Sequence, residues 1–108
     1  MFRQILKFWK SQSKVVRSVE EAVQGIQSGQ LILVGGFGLC GIPMNLIEAV
    51  SRMPVNNLVV ASNDGGSGDA KGNDAWGLEF WYQKKQVRRM ISSFLGFNKH
   101  FEAMYFGG

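Results

Sequence analysis

The sequence is short of the residues that most directly announce chemistry. Its 108 residues hold one cysteine, Cys40, and one histidine, His100. A single cysteine excludes an internal disulfide and suits a reducing compartment. No set of Cys, His and acidic residues has metal-ligand spacing, and no two carboxylates have acid/base spacing, so neither a metal nor a catalytic residue is expected here. No apolar run is long enough to span a bilayer, and stable membrane insertion is not expected. Acids are missing from one stretch altogether: residues 1–19 carry Arg3, Lys7, Lys10, Lys14 and Arg17 and no Asp or Glu. The remainder holds seven basic and eight acidic residues, so the net charge of +4 belongs to those first positions. It is not a property of the folded body, and a nucleic-acid partner loses its main support.

The acid-free stretch has a pattern of its own. On a helix its five cations fall within about an 80° arc, with Phe2, Ile5, Leu6, Phe8 and Trp9 on the other side. Such a basic amphipathic segment reads as a mitochondrial targeting peptide over residues 1–14, and the expected location is the mitochondrial matrix. A disordered basic tail or a helix resting on a membrane surface is the plainer alternative. The body is then residues 15–108.

What the body does have is one informative run, Leu31-Ile32-Leu33-Val34-Gly35-Gly36-Phe37-Gly38-Leu39-Cys40-Gly41-Ile42-Pro43. The aliphatic residues read as a strand over 31–34 buried on both faces, and the glycines as a tight loop open to close approach by a ligand. Pro43 fits the first turn of a following helix, over about 43–53, with Leu46, Ile47, Val50 and Met53 at helical spacing. Strand, glycine loop and helix N-terminus together converge main-chain N–H groups on an anionic or carbonyl oxygen.

Around this run the chain alternates. Ser18 and Glu21 form a capping box for a helix with Val19, Ala22, Val23 and Ile26 on one face and Gly29 as its C-terminal glycine. Pro54 and Asn56-Asn57 precede a second strand, Leu58-Val59-Val60-Ala61. Residues 62–74 read as a long, soft polar loop. Asp74 is placed to cap a helix running through Trp76, Leu78, Phe80, Trp81 and Tyr82, with Lys84 and Lys85 in its last turn. A third strand is expected from Val87 to Leu95, then a helical turn with Phe101, Met104 and Tyr105. Strand–helix repetition argues for an α/β fold, a parallel sheet with helices on its faces, ending after about three strands. So small a sheet reads as a chain cut short.

Gly36-x-Gly38-x-x-Gly41 literally matches a dinucleotide fingerprint, and Asp64 lies where a ribose-binding acid would sit. Pro43 directly after the loop and the extra Gly35-Gly36-Phe37 are not required by that motif. The run GGFGLCGIP, followed by Asn45-Leu46-Ile47, resembles the first signature of family I CoA-transferases, the 3-oxoacid type. Val60-Ala61-Ser62-Asn63, Gln86 to Gly96 with its Met90-Ile91-Ser92-Ser93, and Phe101-Glu102 with Tyr105 extend the resemblance over about 15–108. There are departures: Met44 stands where the family usually has Glu, Asp64 replaces an Asn, and the 65–76 loop is longer.

The resemblance implies the α-subunit-like part of an oligomeric enzyme that moves CoA between succinyl-CoA and a 3-oxo acid such as acetoacetate. It implies no separate cofactor, with CoA and acyl-CoA as substrates. The covalent glutamate would come from a β-type domain or subunit, leaving this chain alone inactive. On that reading Gly35, Gly36, Phe37, Gly38, Gly41, Pro43 and Asn63 form the substrate or oxyanion loop, with Asn63 pointing into the acyl pocket. The rival readings are a dinucleotide-binding Rossmann module and an inactive truncated or interaction chain. Cys40 reads as a small packed thiol, His100 as a surface residue, and the aromatic residues of 76–82 as core.

Overall fold

The computed structural model describes residues 13–108, so the targeting segment expected over 1–14 lies almost wholly outside the described residues. The body follows the expected alternation. Helix α1 (Val19–Val23) is followed by strand β1 (Leu31–Leu33), helix α2 (Met44–Ser51) and strand β2 (Leu58–Ala61). Then come strand β3 (Ser67–Gly68), helix α3 (Glu79–Gln83), strand β4 (Val87–Ile91), strand β5 (Phe97–Asn98) and helix α4 (Lys99–Gly107). The main sheet is parallel, in the order β1-β2-β4, and β3 pairs with β5 in a separate two-stranded ladder that sequence reasoning missed.

Strand order follows chain order, so each crossover steps the same way. Right-handed connections then put α2 and α3 on one face. That face holds the core: Ile47, Val50, Leu58, Val60, Trp81 and Tyr82 are buried together. The opposite face is open, with Leu31 58% and Leu33 77% exposed. The expectation that the first strand is buried on both faces is therefore corrected. β1 is an edge strand whose only inward residue, Ile32, packs on the core.

Side chains from later elements finish the earlier ones. Trp81 donates its indole N–H to the Ile47 carbonyl at 2.8 Å. The Gln86 amide donates to the Val50 and Met53 carbonyls at 3.0 and 3.2 Å, adding to the local bond Val50 accepts from Met53 N–H and supplying the partner that the Met53 carbonyl, just past the end of α2, otherwise lacks.

Several boundaries differ from the sequence reading for local reasons. Ser18 does cap α1 by accepting from Glu21 N–H, but the helix stops at Val23, and Gly29, at φ 84°, belongs to a later turn. Asp74 has φ 51° and sits in a turn, so α3 begins only at Glu79. Residues 62–74 are not a soft loop: Ser67 and Trp76 exchange backbone hydrogen bonds at 3.0 and 2.9 Å. At its tip the Asp69 carboxylate accepts from Asn73 and Lys71, and the Asn73 side chain and N–H lead in holding it below the usual carboxylate range. The third strand ends at Ile91 rather than Leu95. No helix among the described residues is long and apolar enough to cross a membrane.

Candidate functional site

Two loops leave the carboxyl ends of neighbouring strands, β1 and β2, which is where open parallel sheets present ligand sites. The first is the glycine loop. Phe37 and Cys40 bond each other through backbone N–H and carbonyl at 2.9 and 3.0 Å, closing a tight reversal around Gly38 and Leu39. Gly36, Gly38 and Gly41 have φ of 139°, 59° and 70°, values that other residues adopt only with strain. A Cβ on Gly36 would also lie 3.0 Å from the Ile42 side chain. The N–H groups of Gly36, Gly38, Leu39 and Gly41 find no acceptor among the described residues. The exposed side chains here are Phe37, Leu39 and Cys40, none of them charged.

Pro43 enters α2 differently from the expectation. At φ −80° and ψ 69° it is the centre of an inverse γ-turn, in which Met44 N–H returns to the Ile42 carbonyl at 2.9 Å. It therefore stands at the N-cap rather than inside the first turn, and its carbonyl accepts the first helical bond from Ile47. Met44 fills its position usefully: its thioether sulfur accepts from Gly77 N–H at 3.2 Å, tying the start of α2 to the turn that leads into α3.

The second loop, from Ser62 to Gly68, is anchored by side chains. Gly35 and Ile42 of the first loop line one small cleft together with Ser62, Asp64, Gly66 and Gly77. Asn63, between Ser62 and Asp64 in sequence, is half-buried and is not itself part of that lining; its amide meets Ser93. Asp64 is buried and turns inward, where its carboxylate accepts from Gly66 N–H at 2.9 Å. That orientation removes the acid a ribose would need. With the γ-turn interposed between Gly41 and α2, the dinucleotide reading loses both of its structural supports.

Beneath this loop lies a polar cluster that sequence reasoning missed. Glu79 is wholly buried, and its carboxylate receives the side-chain amides of Asn98, at 2.7 Å, and Gln83. His100 Nδ1 lies 2.8 Å from the same carboxylate, so His100 is not the surface residue expected. Asn98 also donates to the Gly65 carbonyl at 3.1 Å and caps α4 by accepting from Phe101 N–H. Gly68 makes room for this carboxylate, since a Cβ there would sit 2.7 Å from Glu79 Cγ. One signal was present: Glu79 is the lone acid within the apolar run 76–82. Next to it Tyr82 is buried, and its hydroxyl has no partner among the described residues. Burial first, then the charges of Glu79 and Asp64, push that hydroxyl well above the usual tyrosine range. No group of metal-holding residues occurs among the described residues.

The sequence pattern of the coenzyme A transferase family matches residues 16–108. The chain belongs to that family. Among curated relatives it is 38% identical over 96 residues to a succinyl-CoA:3-ketoacid coenzyme A transferase subunit of Helicobacter pylori (strain J99), covering 89% of this chain and 39% of the relative. It is 41% identical over 95 residues to a probable succinyl-CoA:3-ketoacid coenzyme A transferase subunit of Bacillus subtilis, covering 88% and 37%. With the rat succinyl-CoA:3-ketoacid coenzyme A transferase 2A, mitochondrial, identity is 43% over 88 residues, 82% of this chain and 16% of that one. The chain thus spans less than two fifths of the length of these family relatives.

Proposed function

We propose that this chain forms the glycine-loop half of a transferase moving CoA between succinyl-CoA and a 3-oxo acid such as acetoacetate. The observation that carries the reading is the set of open main-chain N–H groups of Gly36, Gly38, Leu39 and Gly41, in a chain of this family. Negative charge develops on the acyl oxygen when a carboxylate attacks a thioester. Fixed donors aimed at that oxygen lower the barrier, and removing one typically costs about 10²–10³ in rate. The attacking glutamate, which would carry CoA as a thioester, belongs to a β-type domain or subunit outside this chain. Such covalent chemistry divides one hard transfer into easier steps. Asn63, flanked in sequence by the cleft residues Ser62 and Asp64, supplies a further side-chain N–H. Several relatives are named as one subunit of a transferase rather than as the whole, which supports a two-part enzyme.

The name of the rat relative, together with the acid-free cationic start of this sequence, supports a mitochondrial location. The test is a transferase assay on this chain alone, and then mixed with a β-type domain carrying the glutamate. Activity should arise only in the mixture, and Asn63→Ala should lower it about 10²-fold. A folded mixture that turns over no succinyl-CoA would sink the reading.

A further inference from the structure

The pairing of β2 with β4 does not stop at the strand ends. Ser62 N–H bonds the Ile91 carbonyl at 3.0 Å, and the ladder resumes where Phe94 N–H bonds the Asn63 carbonyl at 3.1 Å and Asp64 bridges to Phe94. Between these two rungs Ser92 and Ser93 run opposite Ser62 and Asn63 in the same register, and both hydroxyls fold over Asn63. Ser92 Oγ reaches only main-chain atoms, the carbonyls of Asn63 and Phe94, each at 2.9 Å. Ser93 differs. Its Oγ lies 3.1 Å from the Asn63 carbonyl and 3.1 Å from Asn63 Nδ2.

A serine hydroxyl has one proton to give and two lone pairs to receive. Ser93 therefore donates to the Asn63 main chain and accepts one N–H from the Asn63 side chain, gripping both ends of a single residue. A side-chain amide has two N–H groups. One is taken by Ser93, and the other is left free with its direction set.

We propose that Ser93 is a positioning residue, holding the Asn63 amide so that its second N–H is aimed in advance at the acyl oxygen of the substrate. The proposal rests on the transferase reading and deepens it. A donor oriented before reaction needs no reorganisation as charge develops, and that is where its advantage lies. Ser92, which touches main chain alone, has no such role.

Two measurements test this. The first needs no activity: in ¹H–¹⁵N spectra of the full chain, the two Asn63 side-chain protons should exchange with water at different rates. Ser93→Ala should remove that difference and Ser93→Thr restore it. The second uses the reconstituted transferase. There Ser93→Ala should lower kcat about tenfold with KM changed less than about twofold, Ser93→Thr should recover most of it, and Ser92→Ala should alter neither. Unchanged Asn63 signals in Ser93→Ala overturn the proposal, as does an unchanged kcat beside altered signals. Equal damage from Ser92→Ala and Ser93→Ala would reduce Ser93 to a structural residue. If wild type is inactive, the transferase reading fails and the proposed aim falls with it, while the spectra still decide whether Ser93 holds the amide.

Discussion

The two loops at the carboxyl end of the sheet are neighbours built by opposite means. The glycine loop is shaped by backbone alone, with glycines in left-handed conformations, a two-bond reversal and no buried side chain of its own. The Ser62–Gly68 loop is shaped by what lies beneath it: the buried Asp64, Glu79 and Asn98, and the hydroxyls of Ser92 and Ser93. A backbone-built loop leaves its N–H groups free for a ligand, whereas a side-chain-built loop spends its polar groups on itself. Their tolerance to substitution should differ accordingly.

Glycine substitutions give the sharpest contrast. In Gly66→Ala the new Cβ would lie 2.6 Å from the Trp76 carbonyl oxygen and 2.9 Å from Leu78 N, backbone atoms that cannot rotate away. With the positive φ of 80° added, unfolding free energy should fall by about 3 kcal/mol or more. Thermal and denaturant melting would measure it, and a loss below about 1 kcal/mol would mean that the second loop is not packed as described.

Next in size is Glu79→Leu, which strands one N–H of the buried Asn98 amide in the interior. A loss of about 2–3 kcal/mol is expected, and Glu79→Gln, which keeps one acceptor, should lose less. Equal stability of wild type and Glu79→Leu would show that the polar cluster anchors nothing.

Gly38→Ala should be milder in stability than Gly66→Ala. No atom lies within 4 Å of its Cβ position, so only the φ of 59° opposes it, about 1–2 kcal/mol. If Gly38→Ala proved as damaging as Gly66→Ala, the contrast between the loops would collapse.

The smallest effect belongs to Tyr82→Phe. Its hydroxyl has no partner among the described residues, so its removal should leave stability at pH 7 unchanged within about 0.5 kcal/mol. The pH dependence follows from the raised ionisation of this group. Below pH 10 both folded and unfolded states keep the proton. Above it the unfolded chain ionises first, so wild type should lose up to about 1.4 kcal/mol per pH unit relative to Tyr82→Phe. Denaturant melts of both proteins at about pH 7 and pH 11 read the difference, and parallel curves would place Tyr82 in contact with water.

Local signals carried much of this fold into the sequence. The β2 strand stands where Leu58-Val59-Val60-Ala61 predicted, and α2 follows the spacing of Ile47 and Val50. The glycine run was legible because a positive φ selects its own residue type. The rest depended on long-range packing. Glu79 becomes a buried anchor only because Asn98 and His100 arrive from elements some twenty residues later. Nothing in Leu31 or Leu33 reveals that β1 is an edge strand, since that depends on strand order rather than composition. Asp74 looked like a cap because Asp serves equally well in a left-handed turn, which is what the chain makes of it.

The Gln86 amide bonded to the carbonyls at the end of α2 sets an order on how this body can be made. As the chain is synthesised from its first residue, α2 emerges well before Gln86 does, and until then the Met53 carbonyl has only water to bond and the Val50 carbonyl only the N–H groups of its own last turn. The second crossover is therefore the step that seals the first. The strand–loop–helix unit that presents the glycine loop is finished late, by a residue that never approaches the site.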